Sequence, residues 1–256
     1  MTNYSRYNIF ANSAQASSVS QNGSRISLNL SNPINVFKKL LRVIQANITF
    51  SFPNVSTIIG NSTILFTYNA VDYQVDIPNG IYGIDDLNNE LIQFFSDFSL
   101  PSDLFSFIGN NSTGTVTIYV QTSLLFSIDF TNPLNLLLQN TLGFSQNNIS
   151  TAVDAYFRGD SVAQLNNITN IYVCCDLCGS GNNYSNEISS TPIIESVPIT
   201  VSPGDLINYQ PKNAVVNLCN TSSTSTITIY LVDQNFIALD MAGESFNLVL
   251  EIYDDK

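Results

Sequence analysis

The sequence has 256 residues, a formal net charge of −12, no histidine and only 11% charged residues. Histidine-based catalytic triads, metal sites and acid–base pairs are therefore excluded, and the acidic charge argues against non-specific binding of nucleic acid, which needs Lys and Arg. The hydrophobic fraction of 44% is large enough for a sizeable core and excludes a disordered chain.

The first 53 residues predict a polar arm followed by two strands. Residues 1–23 are rich in Ser, Asn and Gln, and we expect a flexible N-terminal arm that becomes ordered only when it is bound. The alternation of Ile26, Leu28 and Leu30 with polar residues predicts a strand at 25–31. A second strand is predicted at 41–52, which Pro53 ends.

Residues 54–147 predict a small α+β domain. Two hairpins, each followed by a helix, could close a core of their own, so we interpret this segment as an insertion. The predicted elements are a hairpin at 64–77 with a turn at 69–70, a helix at 84–97, a hairpin of 115–120 with 124–130, and a short helix at 134–142.

After residue 148 the alternating pattern of strands returns. Strands are predicted at 149–157, 168–177, 192–201, 213–219, 227–231 and 246–252, with Pro198 marking an edge strand. With the two early strands, residues 24–53 and 148–256 supply eight antiparallel strands, which is the number in a jelly roll. The predicted fold class is therefore mainly β: a single eight-stranded antiparallel jelly-roll sandwich with an inserted small α+β domain.

The basic residues are concentrated near the start of the chain. We predict that Arg25, Lys38, Lys39 and Arg42 contact a partner, either as a basic face or as an arm that docks on acidic neighbours. The alternative is that these charges are only solvated. The low overall charge suits a surface covered by neighbouring copies, although a bias toward Asn codons would give the same composition.

The four cysteines leave several interpretations open. Cys175 and Cys178 form a C-x-x-C, and a zinc site would need Cys219 and also Cys174. Adjacent residues on a strand point to opposite faces, which disfavours zinc and favours buried free thiols. A disulfide to Cys219 would require an environment that is not reducing.

Two groups of carboxylates could in principle support glycoside hydrolysis or bind calcium. The groups are Asp85, Asp86 and Glu90, and Asp72 with Asp76. Asp85 and Asp86 also open a predicted helix, where negative charge is favoured in any case. We therefore predict that the protein is not an enzyme and has no cofactor.

In residues 72–88 an alternating strand runs into Ile77-Pro78-Asn79-Gly80-Ile81-Tyr82 and then into a predicted helix that opens with Asp86-Leu87-Asn88. Further short motifs follow in order at residues 141–144, 170–177, 231–234, 239–240 and 246–248. In order and spacing, these segments resemble minor capsid (penton) proteins of virophages and Polinton-like viruses. The sequence departs from the family pattern at Cys175 and Cys178, and at Phe236, where a glycine turn is expected.

The resemblance implies a single jelly-roll penton that forms homopentamers at the fivefold vertices of an icosahedral capsid and contacts the major capsid protein. It implies a location in the virion, with the insert on the outer side. Residues 1–5 lack a signal-peptide pattern and no apolar run is long enough to span a bilayer, so we expect assembly in the host cytoplasm.

The alternative function is a carbohydrate- or receptor-binding β-sandwich of a virion surface. The chain has 12 Tyr residues and many Asn residues, which could line a shallow sugar site. Tyr is also common in strands and Asn in turns. Both functions are compatible if the insert binds a host receptor or glycan.

Overall fold

The computed structural model describes residues 6–121, 125–144, 149–151, 155–165, 168–178 and 192–254. The chain divides into two compact units, of which the first combines Met1–Phe52 with Ile168–Lys256 and the second is Pro53–Asn167. The first unit is therefore built from two separate stretches of sequence.

The structure is mainly β, with one longer helix. The strands before residue 53 are β1 (Arg6–Asn12), β2 (Ser18–Val19), β3 (Arg25–Asn35) and β4 (Leu40–Thr49). The second unit contains β5 (Thr63–Tyr68), β6 (Val71–Asp76), α1 (Ile84–Asp97), β7 (Phe105–Asn110), β8 (Thr115–Val120), β9 (Phe126–Ile128), β10 (Ile149–Thr151) and β11 (Ala155–Arg158). The remaining strands are β12 (Asn170–Cys175), β13 (Ile193–Pro198), β14 (Leu206–Tyr209), β15 (Asn217–Leu218), β16 (Ser223–Val232) and β17 (Phe246–Tyr253).

The first unit contains two antiparallel sheets that share one hydrophobic core. Sheet 1 has the order β1-β17-β4-β14, with β15 also paired to β4, and sheet 2 has the order β13-β12-β16-β3-β2. The core combines residues of sheet 1, such as Val43 and Leu250, with residues of sheet 2, such as Val173 and Ile229. Burial of one face of each sheet therefore holds the two sheets together.

The strands with the clearest alternation in sequence are central in these sheets. In β17 the side chains of Phe246, Leu248 and Leu250 are buried, and in β16 those of Ile227 and Ile229 are buried. A period of two directs such a set to one face of the strand. The predicted edge position of Pro198 is also confirmed, because β13 ends the order of sheet 2.

The start of the chain differs from the predicted arm of residues 1–23. Residues 1–5 lie outside the described part, but β1 pairs along its whole length with β17, from Arg6 opposite Tyr253 to Asn12 opposite Asn247. Ile9 and Ala11 of β1 are buried in the core. The polar composition hid this strand, because only every second residue of an outer strand needs to be apolar.

The second unit has two antiparallel sheets and a core rich in phenylalanine. Sheet 3 has the order β10-β9-β5-β6, and sheet 4 has the order β11-β8-β7. The ring centroids of Phe66 and Phe95 both lie near that of Phe105, at 5.3 Å in each case. The predicted helix is confirmed as α1, which buries Leu87 together with Leu91 and Phe95 on one face.

Three further predictions in this region need correction. The hairpin at 64–77 is confirmed as β5–β6, but β8 pairs with β7 rather than with the segment after it, and β9 pairs with β5. The helix predicted at 134–142 is a 3-10 turn at Pro133–Asn135 followed by a π turn at Leu137–Thr141. The strand predicted at 149–157 is two short strands, β10 and β11, whose partners β9 and β8 lie in the second unit.

The last part of the first unit also differs from the prediction. The strand predicted at 213–219 is only two residues long, as β15, and β14 at Leu206–Tyr209 was missed because it is short and half polar. In the part of the chain that the structure describes, no helix has the length and apolar character that crossing a bilayer requires.

Candidate interaction surface

The four predicted contact residues lie in two places in the first unit. Arg25 opens β3 of sheet 2, where its guanidinium lies 5.9 Å from the centroid of the Tyr230 ring. Lys38 and Lys39 form the turn between β3 and β4, and Arg42 lies in β4 of sheet 1. Arg25 and Lys38 are exposed, Arg42 is half-buried and Lys39 is buried. The structure therefore brings Lys39 and Arg42 to sheet 1 and places Arg25 on the other sheet.

Arg42 belongs to a cluster that sequence reasoning missed. Glu251 of β17 lies directly opposite Arg42, is only 1% exposed, and accepts a hydrogen bond of 2.5 Å from Arg42 Nε. The guanidinium of Arg6 on β1 pairs with the other carboxylate oxygen of Glu251. We name this cluster the Arg6–Glu251–Arg42 triad; it joins the three strands β1, β17 and β4 of sheet 1.

Lys39 is also held by a carboxylate of its own chain. Its ammonium pairs with Asp254 and lies 5.8 Å from the centroid of the Tyr7 ring. The guanidinium of Arg42 lies 5.2 Å from the centroid of the Tyr253 ring. Lys39 and Arg42 thus stabilise one end of sheet 1, and the exposed charges among the four predicted residues are those of Arg25 and Lys38.

A row of asparagines crosses sheet 1. Asn12 lies opposite Asn247, Asn247 lies opposite Asn47, and Asn47 lies opposite Asn208, so that β1, β17, β4 and β14 contribute one residue each. Directly paired residues of neighbouring strands share a face of the sheet. This face is therefore polar but uncharged along the row, and Gln45 adds a hydrogen bond of 3.3 Å to Asn47.

One strand of this surface is predictable from the sequence, but the pairing that assembles the surface is not. The alternation in β17 already placed Asn247 and Glu251 away from the apolar set of that strand. The pairing of β17 with β1 and β4 was needed to bring Arg6 and Arg42 to Glu251, and no local pattern reports that pairing.

The carboxylates at the start of α1 have a local structural role. Asp86 Oδ2 accepts a hydrogen bond of 2.9 Å from the Gly83 N–H, which satisfies a donor at the helix N-terminus. Asp85 lies in the same first turn, where the helix dipole favours negative charge. Burial, followed by the charges of Glu90 and Asp86, raises the pKa of Tyr82.

Asp72 and Asp76 lie on β6 and bind neighbouring polar groups. Asp72 Oδ1 accepts a hydrogen bond of 2.7 Å from Thr67, and Asp76 Oδ1 accepts bonds of 3.1 Å from Thr63 and 2.8 Å from Gln74. Across the described ranges, no group of three or more Cys, Asp or Glu side chains is arranged to hold a metal ion.

All four cysteines are buried free thiols. Cys175 belongs to the core between the sheets, whereas Cys174 does not, as expected for adjacent residues on one strand. Burial raises the pKa of Cys174 to about 12 and also raises that of Cys175. These two thiols are therefore protonated and poor nucleophiles at neutral pH.

The second unit has a cavity of about 610 Å³ on β5, β6 and the segment after β9. Asn135 closes one side: its amide accepts a hydrogen bond of 2.6 Å from the Leu65 N–H and donates one of 2.7 Å to the Asp129 carbonyl. Hydrogen bonds from Thr131 lower the pKa of the Asp129 carboxyl. The cavity wall combines apolar surface from Leu65, Phe66 and Ile128 with the polar side chains of Thr67, Asp72, Gln74, Ser127, Asp129 and Asn132.

The antiparallel sheets and the shared core are those of a mainly β protein and are consistent with a jelly-roll fold. The chain is similar in structure to the mavirus penton protein, with a TM-score of 0.50 and 11% identity over 98% of this chain and 99% of that chain. It also aligns with a chain of the Sputnik virophage structure, with a TM-score of 0.39 and 14% identity over 97% of each chain. No protein-family model matches the sequence, and no curated protein is significantly similar to it. The resemblance to virophage penton proteins is therefore confirmed at the level of the fold.

Proposed function

We propose that the protein is a structural minor capsid protein, a penton, that forms pentamers at the fivefold vertices of an icosahedral virus. The observation that carries this proposal is the likeness of fold to the mavirus penton protein, which extends over 98% of this chain. A penton acts by occupying a vertex and contacting its neighbours, so the proposal includes a location in the virion and needs neither catalysis nor a cofactor.

The order of the strands supports a single jelly roll. Four strands of sheet 1, β1-β17-β4-β14, and four of sheet 2, β13-β12-β16-β3, give eight principal strands in two facing sheets. In both sheets, strands from the start of the chain lie beside strands from its end, which is the arrangement that a rolled-up antiparallel ribbon produces. The second unit falls between β4 and β12 in sequence, and we propose that it is an inserted domain.

Charge supports a ring in which unlike flanks of neighbouring copies meet. The chain has a net charge of −12, yet five of its eight Lys and Arg residues lie within the first 42 positions. Exposed cations on an otherwise acidic protein suit a heterologous contact, in which one flank binds the opposite flank of the next copy. Arg25 and Lys38 are exposed, at the start of β3 and beyond its end, and are the proposed contacts with copies or with the major capsid protein. Lys39 and Arg42 are instead paired with Asp254 and Glu251 of their own chain.

The proposal is tested by analytical ultracentrifugation of the purified protein over a range of concentrations. We expect a pentamer that weakens as salt is raised, because salt screens contacts between exposed charges. The double variant Arg25→Glu/Lys38→Glu should weaken association while the fold is retained, and Lys212→Glu, which reverses one exposed charge at another position, is the control. A monomer at every concentration, alone and with the major capsid protein, would contradict the proposal.

A second candidate function is recognition of a host glycan or receptor by the second unit. The cavity of about 610 Å³ has the concave, hydroxyl- and amide-rich wall that a sugar would need. Glycan-array binding that is lost in Gln74→Ala, while oligomerisation is unchanged, would support this function. Absence of binding by the assembled protein would exclude it.

A further inference from the structure

Two of the four cysteines face each other at one end of the first unit. Cys178 follows β12 of sheet 2, and Cys219 follows β15, which is paired to β4 of sheet 1. The two residues form an isolated antiparallel bridge. A bond between them would therefore connect the two sheets across the core.

The backbone at this bridge has the geometry of a non-hydrogen-bonded pair. The Asn220 N–H donates to the Leu177 carbonyl at 3.0 Å, so the hydrogen bond connects the flanking residues and not Cys178 and Cys219 themselves. Opposed residues of this type have Cα atoms roughly 4.5 Å apart, which lies within the range that a disulfide requires. The Cys219 N–H also donates to the Lys39 carbonyl at 2.8 Å, which fixes Cys219 on sheet 1.

The two thiols already interact. A hydrogen bond from the Cys178 thiol lowers the pKa of Cys219, while that bond and burial raise the pKa of Cys178. Both side chains are buried, so their rotamers are restricted by the surrounding core. Together with the bridge between Cys178 and Cys219, this places the two side chains where a disulfide needs no rearrangement of the backbone.

We propose that Cys178 and Cys219 form a disulfide that joins the two sheets of the first unit when the protein meets an oxidising small-molecule disulfide such as oxidised glutathione. One thiolate attacks the glutathione disulfide and releases one glutathione, and the second thiolate attacks the mixed disulfide and releases the other. The two cysteines lose two protons and two electrons, and the glutathione disulfide is reduced to two glutathione molecules. The bond closes a loop of some 40 residues and restricts the unfolded chain.

The geometry selects this pair over the C-x-x-C that the sequence suggested. Cys175 belongs to the same core as Cys219. Its partner on the neighbouring strand β16 is Ile229 and not a cysteine. Cys174 lies outside that core cluster and is paired with Tyr230. Both therefore remain free thiols in the proposed oxidised state.

The test is oxidation of the folded, reduced protein with oxidised glutathione, followed by peptide mapping without reduction. We expect the intact mass to fall by two hydrogen atoms, Cys178 and Cys219 to be linked, and Cys174 and Cys175 to be alkylated after denaturation. The unfolding temperature should rise by roughly 5–15 °C and return on addition of dithiothreitol. Cys219→Ser should abolish this rise, and Cys174→Ser is the matched control that should retain it.

Two results would overturn the proposal. One is a link from Cys175 to Cys178 or Cys219 in the mapped peptides. The other is a folded protein whose four thiols all stay reduced under conditions that oxidise the same chain in urea. The wild-type mapping decides between these outcomes even if a serine variant does not fold.

Discussion

Glu251 shows how a buried charge is stabilised on β17, a central strand of sheet 1. Its carboxylate is covered by Arg6 and Arg42 from the two neighbouring strands, so removal of both cations would leave a buried negative charge without a partner. We expect Arg6→Gln/Arg42→Gln to lower the free energy of unfolding by about 3–5 kcal/mol. Chemical denaturation measures this change.

The control for the triad is Arg25→Gln. Arg25 is exposed and contacts only the face of Tyr230 among the described aromatic rings, so its loss should cost about 1 kcal/mol or less. Equal losses in the double variant and the control would show that the triad does not stabilise the sheet.

The turn between β5 and β6 contains two residues in the left-handed region, Asn69 at φ 51° and Ala70 at φ 61°. Asparagine followed by glycine is the preferred pair in such turns, because alanine has a Cβ that opposes this conformation. Ala70→Gly should raise the free energy of unfolding of the second unit by about 1 kcal/mol. Ala46→Gly within β4 should instead lower the stability of the first unit, and a loss in both variants would contradict the argument.

Phe236 occupies a turn position at which the family pattern has a glycine. The sequence motif placed a glycine turn there, and the structure confirms a left-handed backbone with φ 63°. Its ring lies 5.7 Å from that of Tyr172, and this contact offsets part of the cost of the backbone conformation. The turn could thus be predicted from sequence, whereas the ring contact depended on the pairing of β12 with β16.

At the scale of elements, β1 offers the clearest test, because the sequence predicts an arm at residues 6–12 and the structure has a paired strand there. Ile9 is 8% exposed and Phe10, its neighbour, is 74% exposed, so the two side chains lie on opposite faces of the strand. Ile9→Asp should lower the free energy of unfolding by about 3 kcal/mol or more, because it buries a charge. Phe10→Asp should change it by less than about 1 kcal/mol. Similar small effects of both variants, by thermal or chemical unfolding, would indicate that residues 6–12 are an arm.

The elements that sequence predicted well share a strong local signal. The helix α1 has apolar residues at helical spacing, and β16 and β17 alternate over many residues. The missed strands β1, β7 and β14 are polar or short, and their formation depends on a partner that is distant in sequence. For the same reason β8 was predicted to pair with residues 124–130, whereas it pairs with β7. Alternation predicts a strand but not which strand lies next to it.

At the scale of the whole molecule, the order of the motifs along the chain predicted the fold better than any single motif did. The segments that resemble penton proteins are spread from residue 72 to residue 248, and the structure is mainly β with antiparallel sheets and is similar in fold to the mavirus penton protein. The Arg6–Glu251–Arg42 triad and the asparagine row could not be predicted, because strands from both ends of the chain create them.

The central claim is that this chain occupies the fivefold vertices of a capsid, and cryo-electron microscopy of the native particle tests it most directly. We expect density for five copies around each vertex, with the strand order β1-β17-β4-β14 of sheet 1 recognisable in every copy. Vertices formed by a different protein, or particles that lack this chain, would contradict the proposed function.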